Sequence, residues 1–212
     1  VKFTTTSGTL TTGAITTISG DGGAGGAGGA GGGAAGAAGD PGDPGEVDTT
    51  GGVVELKGTT IKLGGDIKTT GNDVTLEATV GAITQLGTDT ITAALLDTTS
   101  VGGTTLNGTN IVQAYTGSNT TSGNISLIND TATGTLDVRD ITNTVGKISI
   151  TEADNTIDVS GAVVGTEVTL VSTAGTITQT SGAITASTLL NTRSVGGTTL
   201  DQANVVGAFT AV

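Results

Sequence analysis

The 212-residue sequence predicts an all-β solenoid, and three observations point there. Thr occurs 47 times and Gly 38 times, while aromatic residues make up 1 %, so a thin core of β-branched and aliphatic side chains has to replace the usual large rings. Apolar–polar–apolar triplets recur along the chain, which is the two-residue period of a half-buried strand. Residues 95–116 (LLDTTSVGGTTLNGTNIVQAYT) return as residues 189–210 (LLNTRSVGGTTLDQANVVGAFT), an offset of 94. A near-verbatim long repeat on a strand-and-turn background is the mark of stacked coils, in which each rung sets the same residue class above the rung below. A β-sandwich also uses short strands and frequent turns, but it calls for aromatic anchors and does not generate such an echo.

Along the chain, Val1-Lys2-Phe3-Thr4 reads as a strand, and Gly13-Ala14-Ile15-Thr16-Thr17 is a short echo of the repeat. Residues 20–48 break the pattern. Gly stands at every third place in two phases, Gly22 to Gly31 and Gly33 to Gly45. Composition alone suits a flexible Gly-rich loop, while the triplet spacing suits polyproline-II segments packed closely against protein. The solenoid is expected over 1–19 and 49–212, with 20–48 as an inserted Gly-rich segment of polyproline-II type.

From residue 49 onward the triplets follow in order: Val54-Glu55-Leu56, Ile61-Lys62-Leu63, Val74-Thr75-Leu76, Ile125-Ser126-Leu127, Leu136-Asp137-Val138, Ile148-Ser149-Ile150, Ile157-Asp158-Val159 and Val168-Thr169-Leu170. Gly, Asn, Asp and Ser separate them, as turns require. Their spacing gives two or three strands per coil of roughly twenty residues and about nine coils at ~4.8 Å per rung. Val74, Leu76, Ile83, Ile125, Leu127, Ile148, Ile150, Ile157, Val159, Val168, Leu170 and Ile177 are the expected core. The repeat spans 74–116 and 168–210 and pairs Leu106 with Leu200, and Tyr115 with Phe209, as equivalent core positions. The end of the chain, Asn204 to Thr210, reads as strand again, so both ends are expected to lie inside regular structure, as in a processed chain or a piece of a longer one.

The order of words in the second copy, Val168–Leu170, Gly175–Gln179, Ala183–Ala186, Leu189–Leu190, Ser194–Leu200 and Ala203–Thr210, resembles the repeats of large filamentous-haemagglutinin-type exoproteins. The likeness covers about 70–212, and 1–19 and 49–69 more loosely. It implies a right-handed parallel β-helix, secreted to a bacterial surface and serving adhesion or fibre formation. The amino-terminal secretion domain of that family is not visible in these residues, and the Gly-triplet insert is not one of its features.

Charge and composition narrow the function. The formal net charge is −12 with seven basic residues spread singly, so there is no basic footprint for nucleic acid or an anionic membrane surface. No stretch has the length of a membrane-spanning helix. Neither His nor Cys is present, which removes Ser–His and Cys–His nucleophile pairs and the usual zinc ligands. Paired carboxylates on neighbouring coils can cleave glycosides, and Asp137, Asp140, Glu152, Asp154 and Asp158 are candidates, against the simpler reading of solvent-facing strand and turn acids. Asp40, Asp43, Glu46 and Asp48 lie close enough to consider calcium, although they match no known calcium-loop spacing and Pro41 and Pro44 make an acidic turn sufficient. Ser100–Gly103 and Ser194–Gly197 lack the spacing and Lys of a phosphate loop and read as turns. The Asn-x-Ser/Thr triplets at Asn107, Asn119, Asn124 and Asn129 read as stacked turn asparagines.

No catalytic, cofactor or metal residue is assigned, and the chain is expected not to be an enzyme. The expectation is an extracellular or cell-surface structural protein, a segment of a fibre or adhesin. Its partners would be itself, end to end or side by side, covalently adjacent repeats, or a host or matrix surface. The alternative is a surface-binding module whose Thr-rich flat faces take ice or a polysaccharide. The Thr pairs (Thr59-Thr60, Thr69-Thr70, Thr104-Thr105, Thr198-Thr199) are unevenly spaced, so no continuous Thr-x-Thr ladder is expected.

Overall fold

The computed structural model describes residues 1–17, 52–131 and 134–212. The Gly-triplet insert and the acidic cluster Asp40, Asp43, Glu46 and Asp48 lie outside the described residues. Within them there are eighteen strands and no helix, and every ladder is parallel. The fold is the expected β-solenoid.

Each coil has three sides. The first described coil holds β1 (Lys2–Thr4), β2 (Thr9–Thr12) and β3 (Ile15–Thr17). Directly above come β4 (Val54–Gly58), β5 (Thr60–Leu63) and β6 (Ile67–Thr69), then β7 (Val74–Ala78), β8 (Ile83–Gln85) and the start of β9 (Ile91–Ser100). Later strands run through the corners: β10 (Thr104–Asn119), β12 (Thr135–Glu152), β14 (Val163–Ser172) and β16 (Ile184–Ser194) each bend from one side to the next. Shorter strands complete the coils: β11 (Ile125–Asn129), β13 (Thr156–Val159), β15 (Ile177–Gln179), β17 (Val205–Val206) and β18 (Phe209–Ala211).

Inward positions stack in files. On the second side Leu10, Ile61, Ile83, Thr104, Ile125, Ile148, Val168, Leu190 and Phe209 lie one above the next. On the first side the file is Leu56, Leu76, Thr98, Gly117, Ile141, Val163 and Ile184. On the third side Ile15, Ile67 and Ile91 stack in the lower coils, and Leu136, Ile157 and Ile177 form a separate file in the upper ones. All the core residues expected from the triplets of residues 74–177 are buried to 1 % exposure or less. A buried aliphatic side chain of this size contributes about 1.5–3 kcal/mol, and repetition of the file compensates for the missing rings. Residues 52–212 make about seven turns, fewer than the nine coils expected. The second side nevertheless carries the nine rungs named above, because the residues before and after the full turns add partial ones.

Turn length varies. Along the file Val54, Val74, Leu96, Tyr115, Val138, Val159 and Gln179, a turn takes from 19 residues (Leu96 to Tyr115) to 23 (Tyr115 to Val138). The corner between the first and second sides is held by glycine. Gly81, Gly102, Gly123 and Gly146 follow one another there, and a Cβ on Gly146 would run into the carbonyl oxygen of Gly123 on the coil below. Gly123 adopts φ 85°, which a side chain disfavours as well.

The 94-residue repeat proves not to be a whole number of turns. Ile83 lies in the second-side file, whereas its repeat partner Ile177 lies in the third-side file with Leu136 and Ile157. Leu96 and Tyr115 stack with Val74 near the first side, while their partners Leu190 and Phe209 stack with Val168 on the second. The repeat therefore covers four turns and one further side, and the second copy is the first advanced along the axis and turned by one face. Leu106 and Leu200 keep the same local register, two residues beyond a Thr that sits over an Ile, but their surroundings differ. Leu106 and Tyr115 are fully buried, whereas Leu200 is half-buried and Phe209 is 53 % exposed, because no described coil lies above them.

Candidate functional site

The acids do not converge. Asp137 and Asp158 are register partners on adjacent coils and point outward. Arg139 Nε donates to Asp137 Oδ2 at 2.7 Å, and Ser160 donates to Asp137 Oδ1. Thr178 and Thr180 donate to the two oxygens of Asp158 at 2.9 and 2.8 Å. Asp140 accepts from the backbone of Ala162 at 2.9 Å and so serves the next turn. Glu152 departs from the solvent-facing reading. It is fully buried and accepts from Asn129 Nδ2 at 2.7 Å and from the Thr131 N–H and hydroxyl at 3.0 and 2.9 Å. Its inward direction was legible in parity, since it continues the alternation Ile148-Ser149-Ile150-Thr151-Glu152. Asp154 is exposed, and the carboxyl of Asp130 is pushed up by partial burial and by the Asp154 carboxylate beside it. Among the described residues no three His, Cys, Asp or Glu side chains come together as a metal site.

Two of the four sequon asparagines are closed to modification in the folded chain. Asn119 and Asn129 are buried, and Asn119 Nδ2 donates to Asn143 Oδ1 on the next coil at 3.0 Å. These are stacked turn asparagines, as expected. Asn107 and Asn124 are exposed, and Asn124 Oδ1 accepts from the Lys147 N–H at 3.0 Å.

The second side carries a polar ladder that the sequence pattern did not reveal. Thr84, Thr105, Ser126, Ser149 and Thr169 occupy one outward position on five successive rungs, with Lys62 below and Asn191 above. It is a single file of mixed Ser and Thr hydroxyls at the ~4.8 Å spacing of adjacent strands, and so is distinct from the Thr-x-Thr ladder that the uneven Thr pairs argued against. Turns of unequal length hide it from any fixed period. The available signal was the repeated Ser or Thr at the centre of the apolar triplets.

Each repeat copy also holds a Gln–Asn clasp. Gln85 Nε2 donates to Asn110 Oδ1 at 2.8 Å, which also accepts from the Ile91 N–H at 2.9 Å, and Asn110 Nδ2 returns to Gln85 Oε1 at 3.2 Å. In the second copy Gln179 Nε2 donates to Asn204 Oδ1 at 2.8 Å, which accepts from the Ile184 N–H at 2.7 Å, and Asn204 Nδ2 returns to Gln179 Oε1 at 2.9 Å. The first clasp is covered: Asn110 Nδ2 also donates to the Ile128 carbonyl of the next coil at 2.9 Å. Above the second clasp no coil is described, and Leu190, Leu200, Asn204, Val206 and Phe209 line an apolar recess. At the opposite cross-section Phe3, Leu10 and Ile15 line another, together with residues 11–14.

Compared with known proteins, the chain matches no protein-family model, no curated sequence and no solved structure.

Proposed function

We propose that this chain is a non-catalytic structural segment of an extracellular surface fibre or adhesin, a solenoid that transmits length and takes further coils at its ends. The observation that carries the reading is the pair of apolar cross-sections. The lower one presents Phe3, Leu10 and Ile15, the upper one Leu200, Val206 and Phe209, and each borders a strand edge that no further strand covers among the described residues. Surfaces of this kind are normally covered by more of the same sheet. The likeness of 70–212 to filamentous-haemagglutinin-type repeats supports placement on a bacterial surface. Negative-stain microscopy and sedimentation of the purified 212-residue chain test the proposal. Filaments of uniform width that grow with protein concentration are expected, and a strictly monomeric protein at every concentration would overturn it.

The hydroxyl file favours a second reading, a flat face for ice or an uncharged glycan. Thr84, Thr105, Ser126, Ser149 and Thr169 form an acid-free file on a chain of net charge −12. Ice shaping or thermal hysteresis that is lost in Thr105→Lys would support it. Smooth ice growth in the presence of the wild-type protein, with no glycan retained on an array, would end it.

A further inference from the structure

We propose that Asn107-Gly108 is a self-modification site at which asparagine converts to isoaspartate, and that the Gln85–Asn110 clasp holds it unreacted in the folded chain. The site is independent of the fibre reading.

The fold forces this dipeptide. Of the ten asparagines only Asn107 is followed by glycine. A Cβ at Gly108 would run into the backbone carbonyl of Asp89, which itself accepts from Gln85 Nε2 at 3.0 Å, so a side chain has no room there. The second repeat copy has Asp201-Gln202 at the same register, and the Gln202 N–H reaches Gln179 Oε1 at 3.4 Å. The pair also lies in a bulge: between Leu106 and Asn110, three residues oppose the single Ile128 of the next coil. Asn107 is exposed and Gly108 is buried.

The chemistry needs only water. The Gly108 backbone nitrogen gives its proton to solvent base and bonds to Asn107 Cγ, closing a five-membered imide, and the side-chain nitrogen leaves as ammonia. Water then adds to one of the two ring carbonyls, the adjoining C–N bond breaks, and a proton returns to nitrogen. Opening at Cγ gives aspartate. Opening at the backbone carbonyl gives isoaspartate, whose main chain runs through Cβ and is one carbon longer. One water is consumed and one ammonia released, with no change of oxidation state. Glycine permits the closure most readily, because it has no Cβ to shield its nitrogen or restrict its backbone.

In the folded chain the groups that must move are held. The Gly108 N–H donates to Gln85 Oε1 at 3.1 Å, and the Gly108 carbonyl accepts from Asn110 Nδ2 at 3.0 Å. Asn107 lies in the extended β10, and closing the ring turns the Gly108 peptide about the Asn107 Cα–C bond, which breaks both contacts. Opening of the bulge, rather than exposure of the Asn107 side chain, therefore controls the reaction. The product records that opening. An added main-chain carbon lengthens the bulge, so Asn110 no longer meets Gln85 and Asn129 in register.

Mass spectrometry of the 212-residue chain held at mildly alkaline pH tests this, with isoaspartate counted by enzymatic methylation. In guanidinium, conversion at Asn107 should outrun that at every other asparagine. In buffer it should be slower by at least about tenfold, the factor that one lost buried hydrogen bond is worth. Gln85→Ala should restore rapid conversion in a chain still folded by circular dichroism, whereas Gln179→Ala, which opens the other clasp, should leave Asn107 slow. Equal rates in buffer and guanidinium overturn the proposal. So does a folded Gln85→Ala chain that converts at the wild-type rate, or a Gln179→Ala chain that converts as fast as Gln85→Ala. If Gln85→Ala does not fold, hydrogen exchange of the wild-type Gly108 amide decides: strong protection supports the guard and rapid exchange overturns it. After dilution from guanidinium, converted chains should lose the wild-type melting transition, and Asn107→Asp should keep it because Asp201 already occupies that register. Loss in both would trace the effect to charge and overturn the longer backbone as its cause.

Discussion

Asn110 and Asn204 share three hydrogen bonds of the same kind on two different sides of the solenoid. Each accepts from a Gln Nε2 and from a strand N–H, and each donates back to the Gln. Local geometry is thus copied while global orientation is not. One of the two is sealed by the next coil and the other is half-buried.

That difference predicts unequal costs. Asn110→Ala leaves the Ile91 N–H buried without its partner and takes one bond from each end of the Gln85 amide, which keeps the Asp89 carbonyl and the Gly108 N–H, at about 1–3 kcal/mol for the orphaned buried donor. Asn204→Ala gives water access to its former partners and should cost clearly less. Urea midpoints of the two variants check this, and equal shifts would contradict the burial argument.

The same logic applies to Leu106 and Leu200. Leu106→Asp places an unpaired carboxylate among buried aliphatics and should cost several kcal/mol, or prevent folding of the central coils. The half-buried Leu200 tolerates the change better in the isolated chain, so Leu200→Asp should melt within a few degrees of wild type. Its larger effect should fall on assembly, read by sedimentation.

At the glycine corner, Gly146→Ala forces a Cβ against the Gly123 carbonyl oxygen, which belongs to backbone and cannot swing away. Gly52→Ala, where nothing among the described residues approaches the added carbon, is the control. Thermal melts should show a loss for the first and none for the second.

The Asp130 carboxyl supplies a pH test. Burial and the neighbouring Asp154 raise its folded-state pKa above the ordinary value. In the window between the unfolded and the raised folded value the native state holds more protons than the unfolded state. Stability from this group therefore falls as pH rises through that window. Asp130→Asn should raise the melting temperature at neutral pH, and its advantage should vanish below the usual carboxylate range. An advantage that persists in acid would point to another cause.

Much of the fold was legible because inward and outward positions alternate with a period that no turn can disturb. Ile125-Ser126-Leu127 and Ile148-Ser149-Ile150 announce their own orientation, and the structure stacks them in register. Which side of the solenoid each triplet occupies was not legible. That depends on the summed lengths of turns from 19 to 23 residues, and an error of a few residues per turn scrambles the files within two or three coils. The polar ladder and the one-face turn of the repeat were lost for that reason, and the pairing of Leu200 with Leu106 came out right in register but wrong in burial. Glu152 was missed through attention to its charge, although its parity pointed inward.

Ile15 and Ile67 are register partners although 52 positions separate them, where neighbouring rungs elsewhere are joined by about twenty. The strands on either side thus keep their alignment although far more chain runs between them than between other neighbouring rungs. Loop-closure entropy explains why this is tolerable, since doubling a connection adds only about 0.6 kcal/mol. Corners are therefore ports at which foreign peptide can be spliced without rewriting the rungs. The exposed turn at Thr121-Ser122, at a different height along the axis, is the natural second port. Guests spliced at these two corners would be held at separations counted in whole coils, which makes the molecule a ruler for spacing epitopes.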